Sequence, residues 1–131
     1  MEVSWRVAPR WRTRSTRRAS ASSRVNQLSP LQLRAWLADP ARARPLLLDV
    51  REPWEFQTCR IGDSLLVPMR EVPARLAEID ANAELVVICH HGSRSQQVAL
   101  FLERQGYARV HNLAGGVDAW ARSVDPAMPV Y

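Results

Sequence analysis

Apolar and polar positions sort this chain into short strands and helices that alternate. Leu46-Leu47-Leu48-Asp49-Val50, Ser64-Leu65-Leu66-Val67, Leu85-Val86-Val87-Ile88 and Arg109 to Leu113 are short runs bounded by turn residues. They predict strands, and the unbroken, β-branched run at 85–88 predicts one buried on both faces. Between them the apolar spacing becomes helical. Leu33, Trp36 and Leu37 form a stripe behind a Ser29 N-cap and Pro30, and Asp39-Pro40 stops it. Leu76 and Ile79 lie on a helix from Val72 to Ile79. Val98, Phe101 and Leu102 share a face of a helix from Ser95 to Gln105, with Gly106 as its C-cap. Pro53-Trp54-Glu55-Phe56 reads as a short helix with Trp54 as a core anchor, and Ala114-Gly115-Gly116 turns into a helix around Val117 to Ala121. Such alternation predicts an α/β sandwich with a mostly parallel sheet. Ligands of such sheets bind beyond the carboxyl ends of the strands, where Cys89 and Asp49-Arg51 both fall. There are no internal repeats.

Composition adds a boundary. The 131 residues carry a formal charge of +5, but residues 1–24 hold seven arginines against Glu2, while 25–131 hold eleven against twelve acids. Residues 1–26, dense in Arg and Ser and without apolar periodicity, read as a disordered extension, and 27–131 as one domain large enough for its own core. The extension has the composition of an organelle transit peptide, and its arginines interleaved with Trp5 and Trp11 suit phosphate contact and base stacking. The simplest reading gives it no role, and nucleic-acid binding is not expected except through it. No run is long and apolar enough for a membrane span, and no signal-peptide core is visible, so a soluble, cytoplasmic protein is expected, with organelle import left open. Two cysteines, Cys59 and Cys89, make no disulfide framework.

The chemistry concentrates in LVVICHHGSRS, Leu85 to Ser95. Cys89 ends a buried strand and Ser95 opens a helix, so His90, His91, Gly92, Ser93 and Arg94 must curl over the sulfur. Loop amides and the free N–H groups of the first helical turn then form an anion-binding cradle that favours thiolate. Gly92 permits positive φ, Arg94 adds a fixed cation, and Ser93 and Ser95 are placed to cap the helix. A cysteine at a strand end is otherwise a small buried hydrophobe. The loop's composition favours a nucleophile. Arg51 is a second cation for the pocket, or else the partner of Asp49, Glu52 or Glu55 inside the fold.

Four motifs in order, LLLDVREPWEF at 46–56, VVICHHGSRS at 86–95, GY at 106–107 and LAGGVDAW at 113–120, make residues 28–131 resemble a single-domain rhodanese, a sulfurtransferase module. The resemblance implies a three-layer sandwich with helices on both faces of the sheet. It implies that Cys89 takes up a sulfane sulfur as a persulfide, with His90, His91, Gly92, Ser93, Arg94 and Ser95 as its cradle. It makes Asp49, Val50, Arg51 and Glu55 a structural and pocket-lining signature, and gives the Gly115-Gly116 turn and Trp120 to packing. Where the family has a His-Ile-x-Gly-Ala segment, this chain has Arg60-Ile61-Gly62-Asp63, which removes that histidine and sets a cation near the entrance.

The implied activity transfers sulfur from a small anionic donor such as thiosulfate, through Cys89, to cyanide or a thiol. Arg94 orients the donor's oxygens and Arg51 assists if it faces the pocket. No cofactor is called for, and no metal site, since Cys89, His90 and His91 lack ligand spacing and His111 sits on another strand. Three other readings remain, of which a regulatory domain of this family without activity comes last, since it usually implies a lost cysteine and Cys89 is present. A cysteine phosphatase also sets a cradle between Cys and Arg, but the four residues here, His90 through Ser93, make a narrower cup, and no general-acid loop is evident. A persulfide carrier, loaded and unloaded by proteins of a sulfur relay, would use the same cysteine with little turnover of free thiosulfate. Cys59 is either a resolving thiol or incidental.

Overall fold

The computed structural model describes residues 24–131. Five parallel strands form one sheet: β1 (Asn26–Leu28), β2 (Leu46–Asp49), β3 (Leu65–Leu66), β4 (Leu85–Ile88) and β5 (Val110–Leu113), in the order β1-β5-β4-β2-β3. Helices α1 (Pro30–Ala38), α2 (Pro53–Thr58), α3 (Ser93–Arg104) and α4 (Gly116–Ser123) and a 3₁₀ segment, Met69–Glu78, connect them. The expected α/β sandwich is the observed architecture.

Strand β4 is central and explains the layering. Its side chains alternate between faces. Leu85 and Val87 join Leu48, Val98 and Leu102 in a core under α3 and the 3₁₀ segment. Val86 and Ile88 join Leu33, Trp36, Leu113, Val117 and Trp120 under α1 and α4. All four β4 residues are buried, as an unbroken apolar run requires. The alternation continues one step beyond the strand and carries Cys89 to the α3 face.

Local signals set the helix ends. Ser29 and Gln32 form a reciprocal capping box, Gln32 N–H to Ser29 Oγ at 3.1 Å and Ser29 N–H to Gln32 Oε1 at 2.8 Å, with Pro30 in the first turn. Tyr107 is buried behind α3 and donates its hydroxyl to the Ile79 carbonyl at 2.8 Å, tying the end of the 3₁₀ segment to α3.

Four expectations change. The first element is an edge strand from Asn26, not the helix after Ser29; Asn26 and Gln27 are polar and exposed because only one of their sides is paired. The helix expected over 72–79 is a 3₁₀ segment that contains Pro73, which has no N–H to donate, and breaks at Arg75 with φ −117° and ψ 21°. Helix α3 begins at Ser93, behind Gly92 at φ +104°, rather than at Ser95. Trp54 is 61% exposed and is no core anchor, because α2 turns Glu55 inward instead. The readings made of the extension, Trp5 and Trp11 included, lie outside the described residues up to position 23.

Candidate active site

Three segments meet at the carboxyl ends of β4 and β2: the 89–95 loop, the start of α4, and α2. The loop is held from outside by α4. Val117 N–H donates to the Cys89 carbonyl at 2.9 Å and Asp118 N–H to the His90 carbonyl at 3.1 Å, so the free amides of the first turn of α4 draw these carbonyls outward. The approach is close enough that only glycine fits at position 116. It has φ +62°, and a Cβ there would lie 2.3 Å from the His90 oxygen and 2.4 Å from the Cys89 oxygen. Gly92 reverses the chain on the other side of the sulfur.

With its carbonyls turned away, the loop presents donors to Cys89. The Sγ atom accepts the Gly92 N–H at 3.0 Å and lies 3.1 Å from Ser95 Oγ. Cys89 is 1% exposed and carries no disulfide. Ser95 is fully buried; its hydroxyl donates to Asn112 Oδ1 at 2.5 Å, and Asn112 Nδ2 donates to Gln27 Oε1 at 2.8 Å. Ser95 has one proton for two neighbours. While it serves Asn112, the thiol donates to Ser95; a sulfur anion would draw that proton back toward itself. Neither serine caps α3, whose N-cap is Gly92 without a side-chain bond, and Ser93 is exposed.

Arg94 reaches across to α2. Its Nη1 donates to Glu55 Oε2 at 2.8 Å and its Nη2 to Oε1 at 2.9 Å. Arg94 holds the Glu55 carboxyl down to about 2, against the opposing effect of burial. Arg51 does not face the pocket. It is 0% exposed, forked onto Asp49 at 2.7 to 3.1 Å, and donates to the Cys59 carbonyl at 2.6 Å and the Tyr131 oxygen at 2.9 Å. Burial opposes its charge, but the hydrogen bonds and charge of Asp49 more than offset it, so Arg51 is held above its usual range. The internal alternative for Arg51 is the one observed.

His90 stacks between His91 and Tyr131, each 3.8 Å away centroid to centroid. Burial, and then the neighbouring His91, push the His90 imidazole below its ordinary value, which favours the neutral ring. His91 is exposed. Among the described residues, His90, His91 and Asp118 bring potential metal-ligand atoms within 4.8 Å of one another, with Asp118 also bound by Arg122 at 3.0 Å. Cys59 packs in the core on the α1 and α4 side and Cys89 on the α3 side, so the sheet separates the two sulfurs. Arg60 lies over the Phe56 ring at 4.6 Å. An apolar concavity of about 360 Å³, lined by Met69, Val72, Pro73, Val98 and Phe101, flanks α3 and includes no loop residue.

The structure thus brings Cys89, Gly92, Arg94 and Ser95 together and leaves Arg51 aside. Asn112 and Tyr131 were missed by sequence reasoning. Polar residues, His111 and Asn112, inside a strand buried at all four positions were the available signal for Asn112; nothing local marks Tyr131, which is brought in only by the tertiary fold.

Residues 29–123 match the Rhodanese-like domain family. A sulfurtransferase of Allochromatium vinosum is 42% identical over 98 residues, covering 75% of this chain and 90% of that protein. Thiosulfate sulfurtransferase GlpE of Pseudomonas aeruginosa is 34% identical over 106 residues, covering 81% and 92%. The chain matches only 38% of the length of the chloroplastic rhodanese-like/PpiC domain-containing protein 12 of Arabidopsis thaliana, at 31% identity over 82% of this chain. Among solved structures, a rhodanese-like domain protein from Staphylococcus aureus superposes with a TM-score of 0.69 at 25% identity, covering 82% of this chain and 99% of that one.

Proposed function

The chain belongs to the rhodanese-like family, and from that premise we propose that it is a sulfurtransferase whose Cys89 carries the transferred sulfur as a persulfide. The observation that supports this most is the seat of the sulfur: Sγ at a strand's carboxyl end, 3.0 Å from the Gly92 amide nitrogen and 3.1 Å from the Ser95 hydroxyl oxygen. One amide donor on the sulfur, with a hydroxyl beside it that can turn its proton from Asn112 toward a sulfur anion, suits an anionic sulfur better than a neutral one.

Loading proceeds by displacement. The Cys89 thiolate attacks the sulfane sulfur of a donor, a new Sγ–S bond forms, and the donor's own S–S bond breaks with its electron pair leaving on the departing group. A thiol or cyanide then attacks the outer sulfur, and the pair returns to Cys89. No side chain has to remove a proton once Cys89 is ionised, so His90 and His91 form the rim of the site rather than act as its bases. Gly92 and Ser95 stabilise negative charge on the sulfur chain in both halves, and Arg94 stands at the entrance. The donors are small sulfane compounds such as thiosulfate, or persulfides of a sulfur-relay protein. Among the described residues no helix is long and apolar enough to cross a membrane, and with both cysteines free the reducing cytoplasm is the proposed setting.

Intact mass spectrometry tests the proposal. Incubation with a sulfane donor adds one sulfur to the wild-type chain, cyanide removes it with release of thiocyanate, and Cys89→Ser takes up none. Sulfur uptake by Cys89→Ser, or none by the wild type with any donor, refutes it.

A further inference from the structure

Both arginines next to the sulfur loop already hold a carboxylate. Arg51 is closed onto Asp49 with no exposed surface. Arg94, expected from the sequence to meet the donor's oxygens, has two N–H groups on Glu55. Glu55 is not a group that swings aside. Its two oxygens also accept the Tyr131 hydroxyl at 2.9 Å and the Glu52 N–H at 2.9 Å, and its side chain is 5% exposed. A buried carboxylate held by four hydrogen bonds keeps its place when an anion arrives, because leaving would strand each of those donors.

We infer that Glu55 is a specificity-determining residue that sets the charge of the sulfur donor: by occupying Arg94 it turns the site against dianions such as thiosulfate and toward persulfides borne on a thiol. This rests on the reading that Cys89 carries the sulfur. Charge counting gives the reason. Thiolate and thiosulfate bring three negative charges together, and the products, Cys89–S–S⁻ and sulfite, still hold three. Thiolate and R–S–SH bring one: the Sγ–S bond forms, the donor S–S bond breaks, the pair leaves as R–S⁻, and Cys89–S–SH retains the proton. A free guanidinium would compensate the extra charge; one paired with a carboxylate offers a dipole. The rim fits the same donor. Tyr131 lies flat on His90 at 3.8 Å, and exposed Trp54 meets Tyr131 edge-on at 5.6 Å, giving the organic part of a thiol an aromatic shoulder beside Glu55.

The experiment compares kcat/KM for thiosulfate with that for thiol-borne persulfide, supplied as glutathione persulfide and as a persulfidated peptide, the faster of which identifies the source. In Glu55→Gln the ratio of thiosulfate to persulfide efficiency rises by at least about tenfold, the scale of one recovered charge-assisted contact. Glu55→Gln/Arg94→Gln, which removes both charges, returns the ratio to within about threefold of wild type. An unchanged ratio in Glu55→Gln, or a double variant that loses thiosulfate turnover while keeping persulfide turnover, overturns the inference, because Arg94 would then be holding the dianion in the native site. If Glu55→Gln does not fold, the double variant decides alone. Absence of any Cys89 persulfide in the wild type would instead refute the proposed function, so the two failures are distinguishable.

Discussion

Gly116→Ala tests whether α4 shapes the sulfur seat. Position 116 has φ +62°, where an L side chain costs about 1–2 kcal/mol. A Cβ there would lie 2.3 and 2.4 Å from the carbonyl oxygens of His90 and Cys89, and both are backbone atoms that cannot rotate away. The loop or the helix must therefore shift, which weakens the Val117 to Cys89 and Asp118 to His90 hydrogen bonds at 2.9 and 3.1 Å, each worth about 1 kcal/mol. Together the expected destabilisation is about 3–4 kcal/mol. The functional loss is larger, because carbonyls freed from α4 no longer keep the Gly92 amide on Sγ, and a displacement of about 1 Å is worth about 100-fold in rate. Two controls separate strain from contact. Gly106 has φ +98° but nothing within 4 Å of its would-be Cβ, so Gly106→Ala loses stability through backbone strain alone and loads sulfur at the wild-type rate. Gly62 has open space and no positive φ, so Gly62→Ala is near neutral in both assays. Stability is read from urea unfolding, and loading from the rate of sulfur addition by mass. A Gly116→Ala protein that is folded and loads Cys89 as fast as Gly106→Ala would refute the claim that α4 shapes the seat.

The remaining predictions concern charge and burial. Arg51→Met leaves Asp49 charged and alone where neither is exposed, and costs about 3–5 kcal/mol by chemical denaturation; a loss under about 1 kcal/mol would show that the pair is not a structural centre. The Glu55 carboxyl is held at about 2, chiefly by Arg94, against an ordinary 4.5, so its stabilisation is complete above about pH 4.5 and is lost as pH falls through about 2. With Arg94 about a third exposed, that contribution is discounted to about 1–2 kcal/mol, and acid unfolding of Glu55→Gln should converge on wild type across this window rather than run parallel to it. Trp54→Ala costs under about 1 kcal/mol while Trp36→Ala costs about 3–5, because Trp54 is 61% exposed and Trp36 is 2% exposed; equal midpoints in urea would contradict this.

Much of the fold was legible because β4 and its neighbours are so strongly patterned. Leu85 to Ile88 is apolar at every position, and only a central strand with helices on both sides buries all four. Ser29 and Pro30 mark the start of α1 by chemistry that acts within one turn, and the structure adds Gln32 to the cap. What was not legible depends on partners far along the chain. Asn26 and Gln27 have no apolar signature, and become a strand only because β5 offers them a free edge. The size of Trp54 suggested a buried residue, yet α2 is rotated by its neighbour: Glu55 is pulled inward by Arg94, 39 residues away, and by Tyr131, 76 residues away. A long-range ion pair thus overrides the local hydrophobic preference.

The site divides along the same line. That a loop follows Cys89 and brings an amide to the sulfur follows from strand, glycine and helix in sequence, because the free N–H groups of a helix start must point somewhere. That the loop's carbonyls point outward does not follow from the loop at all. It follows from α4, whose first turn takes them, and so from Gly116, which the sequence offered only as part of a turn. The charge of the site is likewise set from outside the loop. Arg94 and Arg51 read as two cations when the chain is scanned in order, but folding gives each a carboxylate, Glu55 and Asp49, before any substrate arrives. Counting the charges of a motif therefore overstates the field at Cys89. What is left at the sulfur is uncharged: the Gly92 N–H, which donates to it, and the Ser95 hydroxyl, whose single proton is shared out between Asn112 and Cys89.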